Sequence, residues 1–153
     1  VAVQNEHVLK KIGLATARDC LGYRLIVKAV ERVADHASRI AHAVIDLDEP
    51  LDELILTKII RLNDFALKIF EESCLALFKR DYDESDEIVG KAIMVEDMEK
   101  DMLVTMEKDK PTESYYTIRL IIGNMRRTAE YASDIAEIVL NMTVGQVVID
   151  TEK

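Results

Sequence analysis

The chain has 153 residues, of which 49% are hydrophobic and 32% charged, with 20 basic against 29 acidic side chains and a net charge of −9. That balance argues against nucleic-acid binding through this segment, because a phosphate backbone needs a basic surface. With 5 Gly and 2 Pro the chain lacks the turn residues of an all-β fold. It holds no run of about 18 uncharged apolar residues that could cross a membrane.

The expected fold is all-α, with helices divided by a few well-placed breakers. A short helix is expected over about 3–13, stopped at Gly13, and a longer one over about 17–47. The stretch DLDEP (46–50) ends the latter and opens a helix over 51–80, with Asp48 or Glu49 as cap and Pro50 in its first turn. KRDYDES (79–85) opens the next, over 84–109, capped by Asp83 or Ser85; KDKPTES (108–114) opens the last, over 112–142, capped by Thr112. Leu51, Leu54, Ile55, Ile59, Leu62, Ala66 and Ile69 form one apolar stripe. Ile118, Ile121, Ile122, Met125, Ala129, Ala132, Ile135, Ala136 and Val139 form another, of heptad type. Met94, Met98, Met102 and Met106 recur at four-residue spacing and read as core or interface filler. The tail 143–153 loses the helical period and is expected to be loose, with QVVID as a possible strand. Cys20 and Cys74 stand alone, as reduced thiols of a cytosolic protein do.

The chain repeats itself. Shifted by 95 residues, 24–47 lies over 119–142, and the identities include Arg24/Arg119, Arg32/Arg127, Ala34/Ala129, Ala37/Ala132, Ser38/Ser133, Ala41/Ala136 and Val44/Val139. An offset of about three helices implies a tandem of three-helix units. The second unit is complete (48–142). The first (1–47) is truncated and supplies the end of a second helix and a whole third, because Val1 aligns with Glu96.

YRLIVKAVERVADHASRIAHAV (23–44) resembles the third-helix signature of the PhoU family of phosphate-uptake regulators, approximately E-R-I-x-D-H-x-x-x-I-A, and FKRDYDESDEIVGKAIMVEDMEKD (78–101) resembles that family's junction of helices one and two. The resemblance covers nearly the whole chain. It implies two tandem three-helix bundles, no catalysis, and negative regulation by docking onto a phosphate ABC transporter's ATPase or a sensor kinase. Some relatives carry a small DNA-binding domain ahead of this part.

Glu31 and Asp35 lie one turn apart on what a heptad frame with Val30 and Ala37 in the core makes the outer face. Paired carboxylates suit hard cations. By the resemblance they are candidate ligands for iron, zinc, manganese or magnesium, with His36 adjacent and Glu6 as the counterpart of Asp101. In the second unit Asp97, Asp101, Glu130 and Asp134 are the candidates. Arg126 stands where the motif has its glutamate, so an Asp97–Arg126 ion pair is expected in place of the metal. Ordinary ion pairs with Lys28 and Arg39 would equally account for Glu31 and Asp35. His7, His36 and His42 are too scattered for a zinc site and read as solvated. A ferritin-like oxidase is disfavoured, since no histidine follows a glutamate by three. Neither a Gly-rich phosphate loop nor a nucleophile–base signature appears. The competing reading is a helical oligomerisation module of a transcription or transport regulator. The truncated first unit leaves the apolar faces of 3–13 and 20–45 without their partner helix, so a homo-oligomer is expected, or else docking of those helices onto the second unit.

Overall fold

A computed structural model describes residues 11, 14, 16–47, 49–106 and 113–151, and the described secondary structure is entirely helical. Four helices follow in chain order: α1 (Ala17–Ile45), α2 (Glu53–Lys79), α3 (Tyr82–Met106) and α4 (Glu113–Thr151). Of the expected 3–13 helix only residue 11, which is helical, is described, and the Thr112 cap lies outside the described residues. The structure contains no cis peptide bonds among the described residues.

Local chemistry sets each boundary. Thr16 caps α1 reciprocally: its hydroxyl accepts from the Asp19 N–H at 3.1 Å and its own N–H donates to the Asp19 carboxylate at 3.2 Å. Asp52, not Asp48 or Glu49, caps α2, accepting from Leu54 N and Ile55 N. Pro50 therefore stays in the loop instead of entering the first turn. Arg80 ends α2 in the left-handed region (φ 53°, ψ 44°), and the Asp81 N–H returns to the Ala76 carbonyl at 3.0 Å, closing the last turn. Asp81 then caps α3 in place of Asp83 or Ser85. Its carboxylate accepts from Glu84 N, and its carbonyl accepts from the Ser85 hydroxyl at 2.6 Å. One two-residue link thus serves as both stop and start.

The tail is a correction. α4 runs on through Thr151 where a loose end or a strand was expected. Losing the apolar period removes a packing face but not the i→i−4 backbone ladder, and no proline interrupts it. Thr143, buried, donates its hydroxyl to the Val139 carbonyl at 2.9 Å.

α4 is the central element. It packs on α1, α2 and α3, while α2 also packs on α3. The core between α2, α3 and α4 is fully enclosed at Leu62, Ile69, Ile88, Val95, Ile122, Ala132 and Ala136. These three helices pack on one another as one bundle. α1 touches α4 on a different principle. Gly22 sits so close to α4 that an added Cβ would lie 3.0 Å from Ile138 Cγ2, and His36 meets Asn124 further along. Rising numbers on α1 thus face falling numbers on α4, so the two are antiparallel. His36 also stacks on Tyr131, its own counterpart in the 95-residue repeat, with ring centroids 5.6 Å apart. The repeated helices therefore cross as a pseudo-two-fold pair.

The heptad frame assigned to α1 needs correction. Its inward residues are Asp19, Gly22, Ile26, Ala29 and Ala43, with Val33, His36 and Ile40 partly covered. Val30 and Ala37, placed in the core by the sequence, are exposed.

Candidate functional site

The candidate carboxylates scatter. Glu31 is exposed and paired with Lys28 at 3.1 Å. Asp35 is exposed one turn away and has no ion-pair partner among the described residues. Glu6 lies outside the described residues. Asp101 accepts from Lys58 at 2.8 Å, and the same ammonium reaches the Thr105 hydroxyl at 2.9 Å. Asp97 is exposed beside Lys100 at 3.4 Å. Glu130 is held by Arg126 and by Arg127. Asp134 borders two surface grooves. Among the described residues no three His, Cys, Asp or Glu side chains gather in a way that could hold a metal ion. Lysine and arginine already pair with four of the six described candidates.

Arg126 does form the expected cross-helix ion pair, but with a different acid. Its Nε lies 2.8 Å from Glu99, whose side chain is mostly covered, whereas Asp97 points to solvent. The two acids differ by two residues on α3, which turns them about 200° apart, so only one can face α4. His36 is another correction. It is half-buried, hydrogen-bonded through Nδ1 to Asn124 Oδ1 at 2.5 Å and stacked on Tyr131, not solvated. Asn124 in turn donates to the Leu120 carbonyl. Arg32 lies over the other part of the same surface, 5.6 Å from the Tyr131 ring centroid. The only sequence signal for this cluster was that His36 and Tyr131 occupy one repeat position.

Two grooves open beside it. One, about 270 Å³, runs between α1 and α4 and is bordered by Leu25, Lys28, Arg32, Asp134 and Glu137. The other, about 520 Å³, lies between α3 and α4, bordered by Val89, Ile93, Glu96, Arg127 and Asp134, with Arg32 reaching in from α1. A third, about 560 Å³ and mainly apolar, lies where the α1–α2 loop meets α4, bordered by Val44, Leu51, Leu56, Ile121 and Met125.

Two titratable groups are displaced. Burial pushes the Cys74 thiol up. The Lys91 ammonium is held above its ordinary value of 10.5, first by its hydrogen bond to Glu72, at 2.8 Å, with Glu84 and Glu87 adding to it. Neither sits in a cleft with a nucleophile and base. The described site is a set of ion-paired helix faces and shallow grooves. No helix is long and apolar enough among the described residues to cross a membrane.

Comparison with known proteins agrees with the architecture. The PhoU domain matches residues 59–139, just over half the chain and nearly the span of α2 to α4. A curated relative, the phosphate-specific transport system accessory protein PhoU homolog of Borreliella burgdorferi, is 23% identical over 139 residues; the match takes in 84% of this chain and 62% of that protein. The chain therefore spans about three-fifths of the length of that relative. No solved structure matches. A three-helix unit whose core register and whose family match coincide leads to one assignment: the chain belongs to the PhoU family.

Proposed function

We propose that this protein regulates phosphate transport as PhoU-type proteins do, through protein contacts and without catalysis of its own. The observation that supports it most is the family match, which falls within α2 to α4, together with the relative whose name ties it to phosphate-specific transport. The partner in this reading is the transporter's ATPase or a sensor kinase, engaged at the cytoplasmic side, and the outcome is reduced uptake or signalling. Residues 1–47 belong to a further three-helix unit in this reading, related to the second by the 95-residue repeat. Titrating the chain with the ATPase subunit while following binding by interferometry is expected to give saturable micromolar association. Absence of binding to both ATPase and kinase at 100-fold higher concentration would remove this reading.

A metal is a separate part of the proposal. Glu31 and Asp35 can serve a hard cation only with a third donor from outside the described residues, and Glu6 is the one the repeat aligns with Asp101. Elemental analysis of protein prepared without chelator tests this. Metal content that falls in Glu31→Ala and in Asp35→Ala supports the site. A metal-free wild type that takes up no iron, manganese or zinc on titration removes it.

A further inference from the structure

α3 is the most lopsided of the four helices in charge. It carries eight acidic against two basic side chains, a net charge of −6 within a chain whose total is −9. Ion pairs with the rest of the bundle occupy part of it: Lys58 takes Asp101, Arg126 takes Glu99, and Lys91 gathers Glu84 and Glu87. Asp83, Asp86 and Glu96 are exposed with no ion-pair partner among the described residues, and Asp97 meets only Lys100 of its own helix.

The outward face has its own period. Asp86, Gly90, Ile93, Asp97, Lys100 and Val104 are spaced four and three apart, which sets them on one line of the helix. All six are exposed. Ile93 and Val104 are each 61% accessible, and Met94 flanks them at 56%. Packing within the bundle uses the opposite side, through Ile88, Val95 and Met102.

Gly90, in the middle of that line, is a separate observation. Glycine in a helix interior is destabilising relative to alanine. Gly22 has a packing reason, since a Cβ there would lie 3.0 Å from Ile138 Cγ2. At Gly90 an added Cβ would meet nothing within 4 Å. Packing among the described residues therefore does not call for a glycine at this position. An exposed helical glycine lets a second backbone come close, as α4 does at Gly22.

We propose that this face of α3 is the docking surface for a basic amphipathic helix of a partner protein. The helix crosses α3 over Gly90, where the two backbones approach. Its apolar residues, recurring at i, i+3 and i+4, cover Ile93, Met94 and Val104, and its Lys or Arg residues meet Asp83, Asp86 and Asp97. Charge selects the partner. A net −6 on one helix repels nucleic acid, an anionic membrane and a second α3 alike, and it draws in a cation-rich segment at a rate that salt lowers. The proposal rests on the regulatory reading above only in taking the partner to be a protein; it adds the surface and the chemistry that the surface selects.

Fluorescence anisotropy on the whole chain tests this with a labelled peptide of about 18 residues, Leu at i, i+3, i+4 and i+7 and Lys elsewhere, against the same composition in scrambled order. The patterned peptide is expected to bind saturably and the scrambled one at least about tenfold more weakly. Ile93→Ser should weaken binding by about tenfold, as a truncated anchor does, and Asp86→Lys by about threefold to tenfold. Gly90→Leu should raise the thermal midpoint by about 2–4 °C and yet weaken the peptide by about tenfold, a combination that a merely structural glycine would not give. Phe78→Ser, which removes an exposed apolar side chain from α2, should change nothing. Absence of saturable binding up to ~1 mM, equal affinity for the two peptides, or indifference to both Ile93→Ser and Gly90→Leu overturns the proposal. Binding lost in Phe78→Ser overturns it too, because the peptide would then sit on α2. So does an oligomer, seen by light scattering of the same samples, that Ile93→Ser dissolves, because a second copy would then cover the face. Each of these results leaves the regulatory reading standing, since that reading falls only when neither ATPase nor kinase binds.

Discussion

α1 and α4 carry the same stripe of residues and meet opposite fates. In α4 the heptad Ile118, Ile122, Met125, Ala129, Ala132, Ala136 and Val139 is buried throughout, the first six in the core with α2 and α3 and Val139 in a cluster with Leu77, Ile26 and Ala29. Its counterparts in α1 are Tyr23, Val27, Val30, Ala34, Ala37, Ala41 and Val44, four of them identical. All but the half-buried Tyr23 are exposed, Val27 to 67%. α1 instead uses the neighbouring face, from Asp19 through Gly22, Ile26 and Ala29 to Ala43, to lie on α4. An apolar heptad thus marks a surface capable of burial. Burial itself follows from what stands opposite, and among the described residues no helix covers this side of α1. Alanine suits both situations: it costs little when exposed and admits a close neighbour when covered.

Paired substitutions at equivalent positions measure that difference. The largest effect should come from Ala132→Glu, which forces a carboxylate into a fully enclosed seam; a loss of about 4 kcal/mol or outright unfolding is expected. Its counterpart Ala37→Glu should stay within about 0.5 kcal/mol in urea unfolding of dilute protein. Equal losses at both positions would mean that the α1 stripe is covered after all.

Deleting methyls gives the same contrast on a smaller scale. Val139→Ala opens a cavity in the core and should cost about 2 kcal/mol. Val44→Ala, half-exposed, should cost a few tenths. Equality within error would erase the distinction drawn here.

Next comes the repeat pair Arg126 and Glu31. Arg126→Glu would set a third carboxylate beside Glu99 and Glu130, which Arg126 now bridges, and should cost about 1–2 kcal/mol. Glu31→Ala removes only an exposed contact to Lys28 and should change stability by less than about 0.5 kcal/mol. Thermal unfolding at matched pH separates the two.

The smallest effect concerns Lys91, a cation joining α2 to α3. Its ammonium is held above the usual lysine value by Glu72, Glu84 and Glu87. A raised folded value means that its contribution is complete below the unfolded value, about pH 10, and fades as pH climbs through the folded one. Stability followed from pH 9 to 12 should fall more steeply in wild type than in Lys91→Met. Parallel curves would show that the ion cluster is not coupled to folding.

Much of this architecture could be read from the chain. Helix periods in 51–80, 84–109 and 112–142 and three short breaks were enough to define an all-α chain of long helices, because packing faces and turn chemistry are local and recur at fixed spacings. The capping of α1 at Thr16, beside Asp19, follows from three neighbouring residues. The family signature in 23–44 was equally legible, and the match over 59–139 bears out the family it pointed to.

Only the tertiary structure decided the rest. Whether Val30 or Ala29 faces inward depends on which neighbour α1 meets, and its 3.6-residue turn offers both as apolar stripes. Arg126 chose Glu99 over Asp97 because two residues on α3 are half a turn apart and α4 sits on one side. His36 is drawn into contact because antiparallel α1 brings it level with Asn124 and Tyr131 of α4. Asp52 and Asp81, and not their acidic neighbours, became caps because backbone direction at each loop decides which carboxylate reaches the free N–H groups. Residue pattern specifies what a helix can bury; the arrangement of its neighbours specifies what it does bury.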